Sequence, residues 1–326
     1  MKKFIPEISN QIYKEDILNT LEKKYSTLGP MWVNQQIQWI NSVYLTFKDH
    51  DKFLIIIFLV KKRLDFYSKN FIKLSYEEFY SKETLEIEKF TISEISKELS
   101  IPKESARRKI LELIKEGAIK NIKKKLIIDR SQFHYSKPEN SIKRISRFLS
   151  VLSEMCLNEK TLSLKITSEN IETTIKKNFS YIWKLYYEFE IPWIINYKKI
   201  FKDLESFHIF ATCIVNQHLC ARKESENYLD RDEFLQSIYS AGQMQGLNAM
   251  SISDITGIPR ATVIRKLKRL VKIENLSIDY KKHYRPKSSF TKTLSPLQKK
   301  VFEKLAYFSA QIFNLHLLNK DNEIKN

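Results

Sequence analysis

The chain is poor in glycine: its 326 residues hold five, at positions 29, 117, 242, 246 and 257. Neither a G-x-G-x-x-G turn nor a phosphate-cradling loop ending in Lys-Ser/Thr can be written from them, which excludes dinucleotide-binding and P-loop enzymes. Cysteine is as scarce. Cys156, Cys213 and Cys220 cannot frame a chain of this length with disulfides, and they fit a reducing compartment. Long apolar runs are missing too. The longest, FLIIIFLV at 53–60, is closed on both sides by lysine and falls far short of the roughly 20 residues that cross a bilayer. The opening MKKFIPEISNQ has no apolar stretch behind its lysines, unlike a signal peptide. Acid is outnumbered, with 38 Asp and Glu against 56 Lys and Arg for a net charge of +18. What is present is ample for buried cores: 43% of the residues are hydrophobic and 12% aromatic, which argues against global disorder. At roughly 100–200 residues per domain, two or three domains are expected. The expectation is a basic cytoplasmic protein with no membrane partner and no cofactor.

The positive charge is clustered. Residues 103–125 carry +6 and residues 259–287 carry +8, so +14 of the +18 lies in 52 residues. Six of the twelve arginines, at 107, 108, 260, 265, 269 and 285, fall there. The two stretches also align at a constant offset of 157. Ile95-Ser96 matches Ile252-Ser253, Ile101-Pro102 matches Ile258-Pro259, and Arg108-Lys109 matches Arg265-Lys266. Upstream the offset is 154, where Trp39-Ile40 matches Trp193-Ile194 and Phe47-Lys48-Asp49 matches Phe201-Lys202-Asp203. Between these, Ser75-x-x-Glu78 and Asp230-x-x-Glu233 are capping boxes, each opening a helix. An internal duplication is expected, its units running over about 30–156 and 184–318. Around them lie an N-terminal extension (1–29), a linker (157–183) and a tail (319–326).

Each unit begins with helical periodicity, over 30–47 and 51–71 in the first, and a third helix is expected after the Ser75 box. Thr91 then N-caps a short helix with Glu94 at its third position, and a Ser100-Ile101 turn leads to Pro102 at the first position of the next helix. There Ala106, Ile110, Leu113 and Ile114 form the apolar stripe, while Lys103, Glu104, Arg107, Arg108 and Leu111 lie opposite. GAIKNIKKKLIID follows as strand, basic turn and strand. In the second unit Asn248 is the N-cap, the turn is Thr256-Gly257-Ile258, and the helix after Pro259 exposes Arg260, Ala261, Ile264, Arg265 and Lys268.

The segments SIPKESARRKILEL and GIPRATVIRKLKRL resemble the turn and recognition helix of bacterial winged helix-turn-helix regulators, over about 40 residues per copy. In catabolite-activator-type members of that family the basic, acidic and later arginine positions of R-E-T-V-x-R contact bases. The resemblance carries those roles to Lys103, Glu104 and Arg108, and to Arg260 and Arg265. Ala261 lacks the carboxylate, and no cyclic-nucleotide-binding roll precedes either copy. The fold class expected is therefore mainly α, with two winged helix-turn-helix domains (about 75–131 and 230–287), each preceded by a helical arm and related by duplication.

A helix in the major groove can present arginine bidentately to guanine O6 and N7, which points to Arg108 and Arg265. Lys103 and Arg260 stand at the helix N-termini, and Arg107 and Lys268 share the exposed faces. Ser105 and Thr262 are placed for phosphate oxygens. The wing lysines Lys123, Lys124, Lys125, Lys281 and Lys282 are placed for backbone or minor groove, where they add salt-dependent affinity. The expected partner is double-stranded DNA, and the expected function sequence-specific transcriptional regulation. The alternative is a plasmid-type replication initiator binding origin repeats. The helix at 296–318, with Leu297, Val301, Leu305, Phe308 and Ile312 on one face, offers a homodimer contact.

Other constellations carry less. His208, Cys213, His218 and Cys220 could be drawn as a metal set, but the positions 154 residues earlier are Leu54, Leu59, Leu64 and Phe66, which makes them core positions. The aromatic run from Phe179 to Tyr197 fits helix packing. No Ser/His/Asp or Cys/His set has catalytic spacing, so no enzyme is expected.

Overall fold

The 3.6-residue apolar period that fills most of the chain folds into a mainly α molecule with two small antiparallel sheets. The computed structural model describes residues 11–122, 125–132, 137–224, 228–240 and 246–324, without the side chains of 222–224, 239–240 and 319–324. Helices α1 (Lys14–Lys23), α2 (Tyr25–Phe47) and α3 (His50–Lys69) come first. Then follow α4 (Tyr76–Phe79), β1 (Thr84–Ile87), α5 (Ile92–Leu99), α6 (Lys103–Lys115), β2 (Ile119–Ile122), β3 (Lys125–Asp129) and α7 (Glu139–Asn158). The series begins again with α8 (Ser168–Lys177), α9 (Phe179–Phe201) and α10 (Leu204–Glu224). It continues through α11 (Arg231–Ser240), α12 (Ala249–Thr256), α13 (Arg260–Lys272), β4 (Leu276–Ile278) and β5 (Tyr284–Pro286) to α14 (Ser288–Thr293) and α15 (Ser295–Ile324). The starts of α8, α9 and α10 lie 154 residues after those of α1, α2 and α3, and α12 and α13 start 157 residues after α5 and α6.

The two series exchange helices. α1 packs on α15 and α8 on α7; α3 packs on α9 and α10 on α2. Each helical arm is thus completed by the other half of the chain. The shared core is aromatic: Trp32 of α2 lies 5.1 Å from Phe148 of α7 and 5.6 Å from Phe189 of α9. Full burial of such side chains is worth about 1.5–3 kcal/mol each. The elbows between the long helices are built alike. Lys48 and Lys202 take left-handed φ values of 51° and 67° that stop α2 and α9. Asp49 then accepts from the amides of Asp51 and Lys52, and Asp203 from that of Ser206, restarting the chain as α3 and α10.

The structure departs from the sequence expectations in several places. The extension at 1–29 contains all of α1, whose Ile17 and Leu21 are fully buried, and the linker at 157–183 contains α8, with Ile171 and Ile175 fully buried. The tail at 319–326 begins inside α15. The helix opened by Ser75 lasts one turn, and the chain then enters β1. Arg130 stops it there: its guanidinium donates to the Phe79 and Lys82 carbonyls, taking up groups that a continuing helix would use. Pro102 and Pro259 are N-caps rather than first helical residues, and α2 starts before Pro30 and runs through it. The face of α15 offered for dimerisation is already covered. Val301, Leu305, Phe308 and Ile312 are buried, and the helix packs against α1, α8 and α9 of its own chain. No helix among the described residues is long and apolar enough to cross a membrane.

Candidate nucleic-acid interface

Short amphipathic segments assemble each basic helix. Thr91 and Glu94 form the capping box that starts α5, and Ser100, at φ 51°, turns the chain so that Ile101 is buried and Pro102 leads into α6. In the second half Asn248 caps α12 through the Ser251 amide. Gly257, at φ 69°, makes the equivalent turn, a conformation that costs a glycine little. Behind α6, β1 pairs with β3 and β3 with β2, so the order is β1-β3-β2. Behind α13, β4 pairs with β5, and an isolated bridge from Leu247 to Tyr284 adds a contact on β5 where β1 stands on β3.

The basic residues divide by direction. Lys103, Glu104, Arg107 and Arg108 are exposed on α6, as are Arg260, Arg265 and Lys268 on α13; Ser105 and Thr262 are half-buried one turn in. Lys103, Arg107, Arg260, Arg265 and Lys268 form no ion pair among the described residues, and Arg108 reaches Glu112 only at 3.8 Å. Inward the picture reverses. Lys109 lies 2.6 Å from Asp49, and Lys266 lies 2.8 Å from Asp203 and 3.3 Å from Glu205. Arg269 meets Asp203 at 3.0 Å, and Lys52 of α3 holds Glu112 at 3.1 Å. Burial alone would push the Asp49 and Asp203 carboxyls up. The facing lysines and backbone amides outweigh it and hold both below the usual carboxylate range. Each basic helix is therefore pinned by its inner lysine to an elbow of the helical core. The two elbows touch one another through His50 and His208, whose rings are 5.4 Å apart, and through Lys198 and Asp51 at 2.7 Å. Burial keeps both imidazoles neutral, pushing His50 down to about 4 and His208 well below its ordinary value.

The two hairpins that follow the basic helices are less uniform than their sequences suggest. Lys125 pairs with Glu86 across β1 and β3 at 2.9 Å, so its charge is partly committed. Lys123 and Lys124 lie outside the described residues. Lys281 and Lys282 are exposed in the turn between β4 and β5, where Asp279 accepts from the Lys281 and His283 amides. Tyr280, 89% exposed beside them, was not singled out from the sequence. The signal for it was an aromatic side chain set in a polar, basic turn. Among the described residues no group of three or more His, Cys, Asp or Glu side chains is arranged to hold a metal ion. Comparison of the chain with protein-family models, curated proteins and solved structures finds no match.

Proposed function

We propose that this protein is a sequence-specific regulator of transcription that binds double-stranded DNA with two winged helix-turn-helix domains, duplicated within one chain and held on a common helical core. The observation that carries the proposal is the division of the basic side chains on α6 and α13. Lys109, Lys266 and Arg269 are spent on anchoring. Lys103, Arg107, Arg260, Arg265 and Lys268 are held outward with no counter-charge among the described residues. Unpaired cations along an exposed helix are what a phosphate-lined groove attracts and what arginine readout of guanine requires. The one-turn α4, β1, the α5–α6 pair and the β2–β3 hairpin follow the order of a winged helix, and the second half follows the same order with a shorter wing.

The N-termini of α6 and α13 lack a side-chain cap, whereas those of α5 and α12 have one. Their free amides suit phosphate oxygens beside the groove. DNA footprinting across the source genome tests the proposal. A protected site upstream of a promoter is expected. Iterated protected repeats at a replication origin would favour the initiator reading, and protection that does not depend on sequence would overturn both.

A further inference from the structure

A cleft of about 260 Å³, open to solvent, lies between α2, α7 and α9, walled by Trp39, Val43 and Leu45 of α2 and Tyr187 of α9, with Lys137 and Arg144 at its α7 side. Arg144 is the residue that requires explanation. It is partly buried, and its hydrogen bond runs from Nη2 to the neighbouring Ser141 hydroxyl at 3.2 Å. Its Nε is buried with no partner, and no carboxylate of the described residues pairs with it. A guanidinium partly withdrawn from water without a counter-charge is less well solvated than a free one and gains from an anion brought to it.

The fold does not demand a cation there. A second cleft is lined by Trp193, Tyr197, Leu294, Gln298 and Val301. These residues stand 154 or 157 positions after Trp39, Val43, Lys137, Ser141 and Arg144. The same architecture thus accepts leucine and valine where this cleft has lysine and arginine. The anchoring lysines at 109 and 266 are kept in both halves, but these two cations occur in one half alone.

We propose that the cleft between α2, α7 and α9 binds a small organic carboxylate with a flat apolar body. The Arg144 fork takes both carboxylate oxygens, the geometry in which guanidinium exceeds ammonium. Lys137 supplies a second charge at the mouth, and Trp39, Tyr187 and Tyr80 supply flat walls. The cleft also touches both basic helices' supports. Tyr80 stacks under Arg130 at 4.5 Å, at the end of β3. Leu45 abuts Gly257 so closely that a Cβ there would come within 2.9 Å of Leu45 Cδ2, and Gly257 is the turn immediately before α13. Occupancy of the cleft therefore shifts the α12–α13 turn through Leu45 and alters DNA affinity. This regulatory half rests on the DNA-binding reading, but the binding half does not.

Isothermal titration of the full chain with benzoate and 1-naphthoate, beside benzamide and inorganic phosphate, tests the binding half without DNA. At least one aromatic carboxylate is expected to bind one per chain with a dissociation constant of about 1 mM or tighter, at least about tenfold tighter than benzamide. Arg144→Gln is expected to weaken it at least about tenfold, and Arg144→Lys to restore part of the loss. Equal affinity for benzoate and benzamide, or an Arg144→Gln chain that binds carboxylates unchanged, overturns the proposal. So does phosphate binding as tightly as the carboxylates through Arg144. Should Arg144→Gln fail to fold, the acid-against-amide comparison on the unaltered chain decides. Carboxylate binding by a chain that ignores DNA refutes only the regulatory reading, and DNA binding by a chain that ignores carboxylates refutes only this one.

Discussion

Arg108 and Lys109 adjoin on α6, yet a helical step of about 100° sends one to solvent and the other to Asp49. Arg265 and Lys266 divide in the same way around Asp203. The consequences of mutation should divide with them. Arg108→Ala combined with Arg265→Ala removes two exposed side chains and is expected to leave thermal stability within about 0.5 kcal/mol per site. It should also abolish the sequence-specific footprint, at about 1–3 kcal/mol of discrimination per bidentate contact. Lys266→Met does the reverse. It strips Asp203 and Glu205 of a partner that is only 11% exposed and should lower stability by about 1–3 kcal/mol, while sequence preference at the sites still bound is unaltered. Melting curves and footprints on the same preparations check both. An unchanged sequence preference in the double arginine variant would refute the contact assignment.

At the scale of elements, most of the local helix signals were legible and some of the boundaries were not. The capping boxes at Ser75, Thr91 and Asp230, the Asn248 cap and the turns before α6 and α13 are written in local residue types, and each is present. α1 is hard to read because its stability is not local, whereas α8 carries local signals that were passed over, a Thr167 cap on the Asn170 amide and packing on the preceding α7. α1 has no side-chain cap, and its apolar face is satisfied by α15, which arrives about 280 residues later. The end of α4 is set from a distance as well, by Arg130. The inward turn of Lys109 and Lys266 was hidden for the same reason: nothing near them in sequence announces the aspartates at the elbows.

The pair α2 and α9 carries a further consequence. Glu190 of α9 stands 154 residues after Gln36 of α2 and is completely buried. Burial pushes its carboxyl up to about 8, although Gln36 and Tyr186 beside it favour the charged form. The folded value thus lies above the unfolded one of about 4.3. Stability is then full below about pH 4.3 and declines as the pH rises toward 8, where the folded protein must carry a buried charge. Glu190→Gln keeps the shape without the charge. It is expected to raise stability at pH 9 by up to about 5 kcal/mol and to change it little at pH 4. Chemical unfolding at the two pH values measures the difference, and parallel pH profiles for the two proteins would refute it.

For the whole molecule, the exchange of helices holds two exposed basic helices, α6 and α13, on one core; under the proposed function a single chain would present the two readers that a helix-turn-helix dimer divides between subunits. α1 and α15, α7 and α8, α3 and α9, and α2 and α10 interlock, so the elbows that pin α6 and α13 cannot drift apart without unfolding the core. The two basic helices differ where they begin. α6 opens with Lys103-Glu104 and α13 with Arg260-Ala261. A carboxylate able to accept from cytosine N4 is therefore present on one helix and absent from the other. Duplexes selected from a random pool should accordingly contain two unlike half-sites at fixed spacing, bound by one chain, since the α15 face that would have recruited a second is already occupied. Lys281→Ala with Lys282→Ala should reduce the salt dependence of binding by about 0.9 in log–log slope for each phosphate that is no longer neutralised and leave the selected sequence intact. Sedimentation of the complex gives its stoichiometry and the selected pool gives its symmetry. A perfect inverted repeat held by two chains would mean that the two halves act alike and that the difference between Glu104 and Ala261 is not read.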